Sequence, residues 1–290
     1  MTLHVYPLSR DRPGDFKLMR AIARVHLAAW MMIPLMQTIM YQPELVGTTK
    51  KAGYLEGDTH ALRTEDEVRF VTVIDDSLAS DEDDEDDGED DTAAGHGGKP
   101  KGRVIAAMKY YLVPSTGPHP DTDTRKEIDK QSKSANSDTS SADTLTKPNT
   151  SHMNDALSDL FVTKLVAARL DVTAIIGTHI LIDNIYTDPA HHRRGAGAML
   201  MRVATQHADE LGWPSMLEAS PLGMKLYESA GYEILPGKDI WIDLKRWENG
   251  GDRGVEYSEK RLAEAGGERS SQDGWYAQMI MVRPAKSLVQ

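Results

Sequence analysis

At 290 residues with 40% apolar content and no cysteine, the chain is long enough for one or two domains, and its composition excludes disulfides, thiolate metal sites and a cysteine nucleophile. No run approaches the roughly 18 apolar residues of a membrane span. The opening MTLHVYPLSRDRPG lacks the basic and apolar segments of a secretory leader, so a cytoplasmic protein without membrane contact is expected. Asp75 to Asp91 holds twelve acidic and no basic residues, which accounts for the whole net charge of -12 and leaves no broad basic face for nucleic acid.

Taken in order, Leu3 to Tyr6 reads as a first strand. Phe16, Met19, Ile22, Ala23, Val25, Ala29 and Trp30 recur at helical spacing and predict an amphipathic helix over Asp15–Ile33 that Pro34 kinks or ends, with a restart over Leu35–Tyr41. Thr64-Glu65-Asp66-Glu67 has capping-box spacing, yet Arg69 to Ile74 is too β-branched for a helix and reads as a strand. Val104 to Val113 is a second strong strand. The two are expected to pair as a hairpin around an acidic insert over 75–102, which like-charge repulsion leaves disordered.

A Ser/Thr-rich insert over 114–151 is nearly free of aliphatic residues and is likewise expected to be disordered. From Asn154 the residues Leu157, Leu160, Phe161, Leu165 and Ala168 mark a helix, and Ile175 to Tyr186 reads as the next strand. Met199, Leu200, Val203, Ala204, Ala208 and Leu211 then form one helical face closed by Gly212. A short strand over Trp213–Leu217, a short helix carrying Leu226-Tyr227, an alternating strand at Ile240–Leu244, a polar loop over 248–273 and a last strand at Trp275–Val282 complete the chain.

The segment between the strand ending near Thr187 and the following helix is HHRRGAG. Glycines there let backbone N–H groups converge, the helix start adds the positive end of its dipole, and two arginines supply charge, which suits phosphate oxygens. The dinucleotide fingerprint is excluded by Leu200 where it wants a third glycine, and the P-loop by the absence of Gly-Lys-Ser/Thr. Adjacent histidines such as His191 and His192 point apart in a turn and no third ligand is evident, so no metal is expected. Ser220 lacks the Gly-x-Ser-x-Gly elbow of a hydrolase.

Strand, Arg-Arg-Gly-x-Gly and amphipathic helix together resemble the coenzyme A pyrophosphate signature of the GNAT superfamily of N-acetyltransferases, Gln/Arg-x-x-Gly-x-Gly/Ala, with His192 in place of its first residue. Downstream, EASPLGMKLYESAGYEIL is similar to that family's second signature, a helix ending in LY followed by Gly-Phe/Tyr. The resemblance implies one mixed α+β domain over 1–290, with a central mixed, mostly antiparallel sheet containing a splayed parallel strand pair and flanked by helices. It implies acetyl-CoA as acyl donor, no metal, and direct attack by an amine acceptor, small molecule or protein.

By the same resemblance, Ile185, Tyr186 and Thr187 would bind the pantetheine arm through their backbone, and His192, Arg193, Arg194, Gly195, Ala196, Gly197 and Ala198 would wrap the pyrophosphate. Ser220 would bond the pantetheine or cap the next helix. Tyr227 would protonate the departing thiolate or merely pack its helix, and Glu218 or Asp183 would serve as base or as structural carboxylates. Trp30, Met31, Met36 and Met40 would line the acceptor entrance or fill core. The alternative function is a non-catalytic coenzyme A-binding or interaction module whose acidic loop recruits basic partners. The oligomeric state is not legible in the sequence.

Overall fold

A computed structural model describes residues 3–80, 100–115 and 153–286. Most of the expected acidic insert (81–99) and nearly all of the Ser/Thr-rich insert (116–151) lie outside the described residues. The elements in order are β1 (Leu3–Pro7), α1 (Pro13–Trp30), α2 (Pro34–Ile39), α3 (Pro43–Thr64), β2 (Val68–Asp75), β3 (Arg103–Val113) and α4 (Asp155–Ile176). There follow β4 (His179–Thr187), α5 (Ala196–Leu211), β5 (Ser215–Ala219), α6 (Met224–Ser229), β6 (Glu233–Ile234), β7 (Ile240–Asp243), α7 (Val255–Glu264) and β8 (Trp275–Arg283).

The strands form one sheet in the order β1-β2-β3-β4-β5-β8-β6, with β7 also paired to β8. Every pairing is antiparallel except β4 with β5. This is the expected mixed architecture, and β2 and β3 pair as the hairpin the sequence suggested. Successive side chains of a strand face opposite ways, so Val71 and Val73 pack with Leu200, Ala204 and Ala208 of α5, while Val68, Phe70 and Ile74 pack with Leu18, Ile22 and Val25 of α1. A register shift opposite Val73 and Ile74 leaves Ile105 of β3 as the extra residue, so that Ile105 and Ala106 both pack on the α5 face.

Several boundaries differ from the sequence reading. Ile175 lies in the last turn of α4 instead of opening a strand, and Gly177 at φ 69° makes the turn into β4 at His179. Asn154 caps α4, its side chain accepting from the Leu157 amide at 3.0 Å. The strand expected at Trp213 starts at Ser215. Pro34 begins a new helix after α1 ends at Trp30. Thr64 closes α3, a helix the pattern did not suggest, rather than opening a capping box. The polar loop over 248–273 contains α7, all of whose residues stay at least partly exposed and which Ser258 and Arg261 tie to β7 by donating to the buried Asp243 carboxylate.

One buried group on α1 makes stability sensitive to acid. His26 is 4% exposed and stacks between the Tyr54 and Tyr186 rings, with centroids 4.1 and 4.5 Å away. Neither ring nitrogen has a partner among the described residues. Burial, and then the nearby Lys109 ammonium, push its pKa from 6.5 to about 3, against the opposing charge of Asp183. The unfolded chain therefore takes up a proton below pH 6.5 that the folded chain refuses until about pH 3. Stability present above pH 6.5 is lost across that window at up to about 1.4 kcal/mol per pH unit from this group. His26→Phe keeps a ring in the stack, and urea unfolding between pH 4 and 6.5 is expected to give a correspondingly shallower slope. An equal slope in the variant would show that His26 already titrates in the fold.

Candidate active site

The site begins where the parallel strands separate. β4 and β5 pair only at Ile180↔Ser215, Leu181↔Met216 and Ile182↔Leu217. Beyond that point β4 stays with β3 as far as Thr187↔Ala106, and β5 stays with β8 as far as Ala219↔Met279. A bulge sits at the fork: Tyr110 pairs with Ile182 and Lys109 with Asn184, leaving Asp183 as the extra residue. Among the described residues, the β4 edge from Asp183 to Thr187 has no strand partner on the side facing β5, so its backbone polar groups are presented to the gap.

The turn after β4 is pinned before it reaches the glycines. Asp188 accepts from the Ala190 amide at 3.0 Å and receives Arg24 from α1 at 2.8 Å, while Arg24 also donates to the Val104 carbonyl at 2.9 Å. His192 Nε2 donates to the Thr187 carbonyl at 3.1 Å, folding the turn back on its strand. Arg193 at φ 60° and Gly195 at φ 91° are both left-handed. A non-glycine residue in that region is uncommon, and such conformations gather where a backbone cradles a ligand. Helix α5 starts directly after Gly195, and its first N–H groups have no acceptor within the helix. Gly197 packs closely as well, since a Cβ there would lie 3.0 Å from Leu226 Cδ2.

The turn borders a groove of about 520 Å³ lined by Ile185, Tyr186, Thr187, His192, Arg193, Gly195, Ala196, Gly197, Ala198 and Ser220, with Trp30, Ile33, Leu226 and Tyr227 among its other walls. Of the residues expected to hold the cofactor, Arg194 alone is absent from that lining. Its guanidinium turns to the buried Asp75 carboxylate and to His191 Nδ1, the latter at 3.0 Å. The sequence could not separate it from Arg193, because only the left-handed turn sends neighbouring side chains in different directions. Asp75 accepts from the Ser77 amide and hydroxyl besides Arg194, and these bonds, Ser77 first, hold its pKa down to about 2 despite burial.

A second cavity, about 180 Å³, opens from the groove at the fork. The two share Trp30, Ile33, Ile185, Ser220 and Tyr227. Its walls add Met36, Phe161, Leu165 and Tyr276, and its polar end holds Arg169, Asp183, Asn184, Glu218 and Gln278. Of the four residues considered for an acceptor entrance, Trp30 and Met36 line this space, whereas Met40 is buried in the core and Met31 packs against it.

The polar end is a chain of buried ion pairs. Glu218 receives Arg169 through both oxygens at 2.8 and 2.9 Å, Arg169 reaches Asp183 at 2.9 Å, Asp183 meets Lys109 at 2.9 Å, and Lys109 meets Asp58 of α3 at 3.1 Å. Burial alone would raise the Asp183 pKa, but Lys109 and Arg169 outweigh it and hold the carboxyl well below the usual range. Burial likewise opposes the charge on Lys109, yet Asp183 and Asp58 push its pKa well above the ordinary value. Lys109, Arg169 and Asp58 were not singled out from the sequence. The available signal was a lysine inside the apolar strand VIAAMKYYLV and an arginine on the apolar face of α4.

Tyr227 stands between the two cavities. It is 7% exposed, its hydroxyl has no hydrogen-bond partner among the described residues, and burial, then Tyr232 and Glu218, raise its pKa so that it stays protonated. Its ring rests on Gly223, where an added Cβ would come within 2.5 Å of the ring. Ser220 does not cap α6: the position before that helix is Gly223, with no side-chain cap. Among the described residues no group of three histidine, aspartate or glutamate side chains could hold a metal, and no helix is long and apolar enough to cross a membrane.

Comparison with known proteins agrees with this geometry. The family model described as acetyltransferase (GNAT) family matches residues 165–232, which run from α4 through the turn to the Gly231-Tyr232 that follows α6. Arylalkylamine N-acetyltransferase 2 from Aedes aegypti is similar in fold at 10% identity, over 99% of this chain and 100% of that one, with a TM-score of 0.53. A Drosophila melanogaster polyamine N-acetyltransferase matches at 12% identity over 97% and 99%, TM-score 0.51. A mosquito arylalkylamine N-acetyltransferase-like protein, 5b, matches at 12% identity over 97% and 99%, TM-score 0.50. A search of curated proteins found no match to the sequence. The family match falls on the very segment that builds the turn and the fork: residues 165–232 match the GNAT acetyltransferase family model, within a chain whose fold is similar to those of the N-acetyltransferases above.

Proposed function

We propose that the protein is an N-acetyltransferase that moves the acetyl group of acetyl-CoA to a primary amine by direct attack within a ternary complex. The observation that carries this reading is the meeting of the groove and the smaller cavity at Tyr227, where β4 and β5 separate. The amides from His192 to Ala198 and the Arg193 side chain would hold the diphosphate, and the open β4 edge at Ile185 to Thr187 would bond the pantetheine amides. The thioester would then point to Tyr227, with the amine arriving from the cavity beyond.

In the chemical step the amine nitrogen attacks the thioester carbonyl carbon, the C–S bond breaks, and the thiolate takes the Tyr227 proton. The amine must first lose its own proton, because an alkylamine near neutral pH is mostly an ammonium. Asp183, held ionised by two cations, is a poor proton acceptor, and its part is to draw the ammonium in. Glu218, at the same end of the cavity with both oxygens on Arg169, would pass the proton on through water rather than keep it. Incubating the full chain with acetyl-CoA and a broad amine panel, and titrating free thiol, is expected to show amine-dependent coenzyme A release. Tight coenzyme A binding with no release from any amine would leave a binding module in its place.

A further inference from the structure

The cavity beyond Tyr227 has properties that narrow its occupant. Its volume is about 180 Å³, and an apolar cavity of about 150 Å³ already admits a benzene ring. The walls are aromatic and aliphatic, Trp30, Phe161, Leu165 and Tyr276 among them, whereas charge is confined to one end. At that end each cation lies between two carboxylates: Arg169 between Asp183 and Glu218, and Lys109 between Asp183 and Asp58. Of these five side chains three are carboxylates and two are cations, so the group is anionic on balance. The Tyr227 hydroxyl, which has no hydrogen-bond partner among the described residues, borders the same cavity and is available to a polar atom of a ligand.

Resting on the acetyl-transfer reading above, we propose that the acceptor is a compact amine with one positive charge and a body about one ring in size. We propose further that Asp58 sets this preference from outside the cavity. Asp58 lines neither space, but by sharing Lys109 it keeps that ammonium from cancelling the charge of Asp183. A polyamine would bring charges the apolar walls leave unmatched, and a peptide lysine would bring backbone the volume does not admit.

The test compares four acceptors with wild-type full-length protein near pH 7.5: phenethylamine, a cation at that pH; its isomer 4-ethylaniline, which is neutral there; spermidine; and a lysine-containing peptide. Phenethylamine is expected to exceed spermidine and the peptide at least about tenfold in kcat/KM, a margin of roughly 1.4 kcal/mol in transition-state binding. Asp58→Asn is expected to raise the KM for phenethylamine about five- to tenfold, in line with one charge acting at intermediate distance in a partly buried site, with the KM values for 4-ethylaniline and acetyl-CoA little changed. A merely structural Asp58 would shift both isomers alike, and that result overturns its specificity role. Turnover that favours spermidine or the peptide overturns the acceptor class while leaving acetyl transfer standing. Absence of coenzyme A release from every amine overturns both.

Discussion

Gly195→Glu is expected to abolish measurable coenzyme A binding by calorimetry, a loss of at least about a hundredfold in affinity. Two effects add. Gly195 sits at φ 91°, where a side chain costs about 1–2 kcal/mol. The carboxylate would also stand at the mouth of the diphosphate cradle, and like charges about 4 Å apart near a protein surface repel by up to about 4 kcal/mol before salt screening. Gly195→Ala separates the two contributions. A Cβ there meets nothing within 4 Å, so the alanine variant suffers only the backbone cost and is expected to lose about tenfold or less. Unchanged affinity in the glutamate variant, with the fold intact by circular dichroism, would move the diphosphate away from this turn.

Tyr227→Phe is expected to lower kcat roughly a hundredfold while the KM for acetyl-CoA stays within a factor of about two, as for loss of a proton donor that acts only in the transition state. The ring is retained, and the hydroxyl has no hydrogen bond to lose among the described residues, so stability is expected to be nearly unchanged. Gly223→Ala offers an independent check. With a Cβ within 2.5 Å of the ring, Tyr227 must shift while its hydroxyl remains, so kcat is expected to fall though the donor is still present. If Tyr227→Phe turns over at the wild-type rate, Tyr227 packs the helix and another group protonates the thiolate.

The signals that were readable in advance were local ones. Periodicity in α1 and α5 and the β-branched runs of β2, β3 and β8 foretold those elements, because each presents an apolar face that one period alone explains. Helix α3 was missed since PELVGTTKKAGYLEGDTHALRT holds three glycines and no clear apolar stripe. It is sustained instead by packing of residues such as Ala61 and Leu62 against α1 and β2. Helix α7 escaped for the opposite reason, as a short polar helix looks like a loop when nothing in it must be buried.

The candidate site divides along the same line. The phosphate turn was legible because its chemistry is carried by consecutive residues, His192 to Ala198, whose glycines announce the backbone they permit. The ion-pair chain was not, because Asp58, Lys109, Asp183 and Glu218 come from four elements spread over 160 residues of sequence, with Arg169 from a fifth. Sequence by itself determined the strand, turn and helix that hold an anion. Tertiary structure alone decided that Arg194 serves Asp75 and not the groove, that the bulge sets Asp183 at the fork, and which charges face the acceptor. Local conformation follows from neighbouring residues, whereas the partner of a buried charge is settled only when the sheet brings side chains of strands distant in sequence within 3 Å of one another.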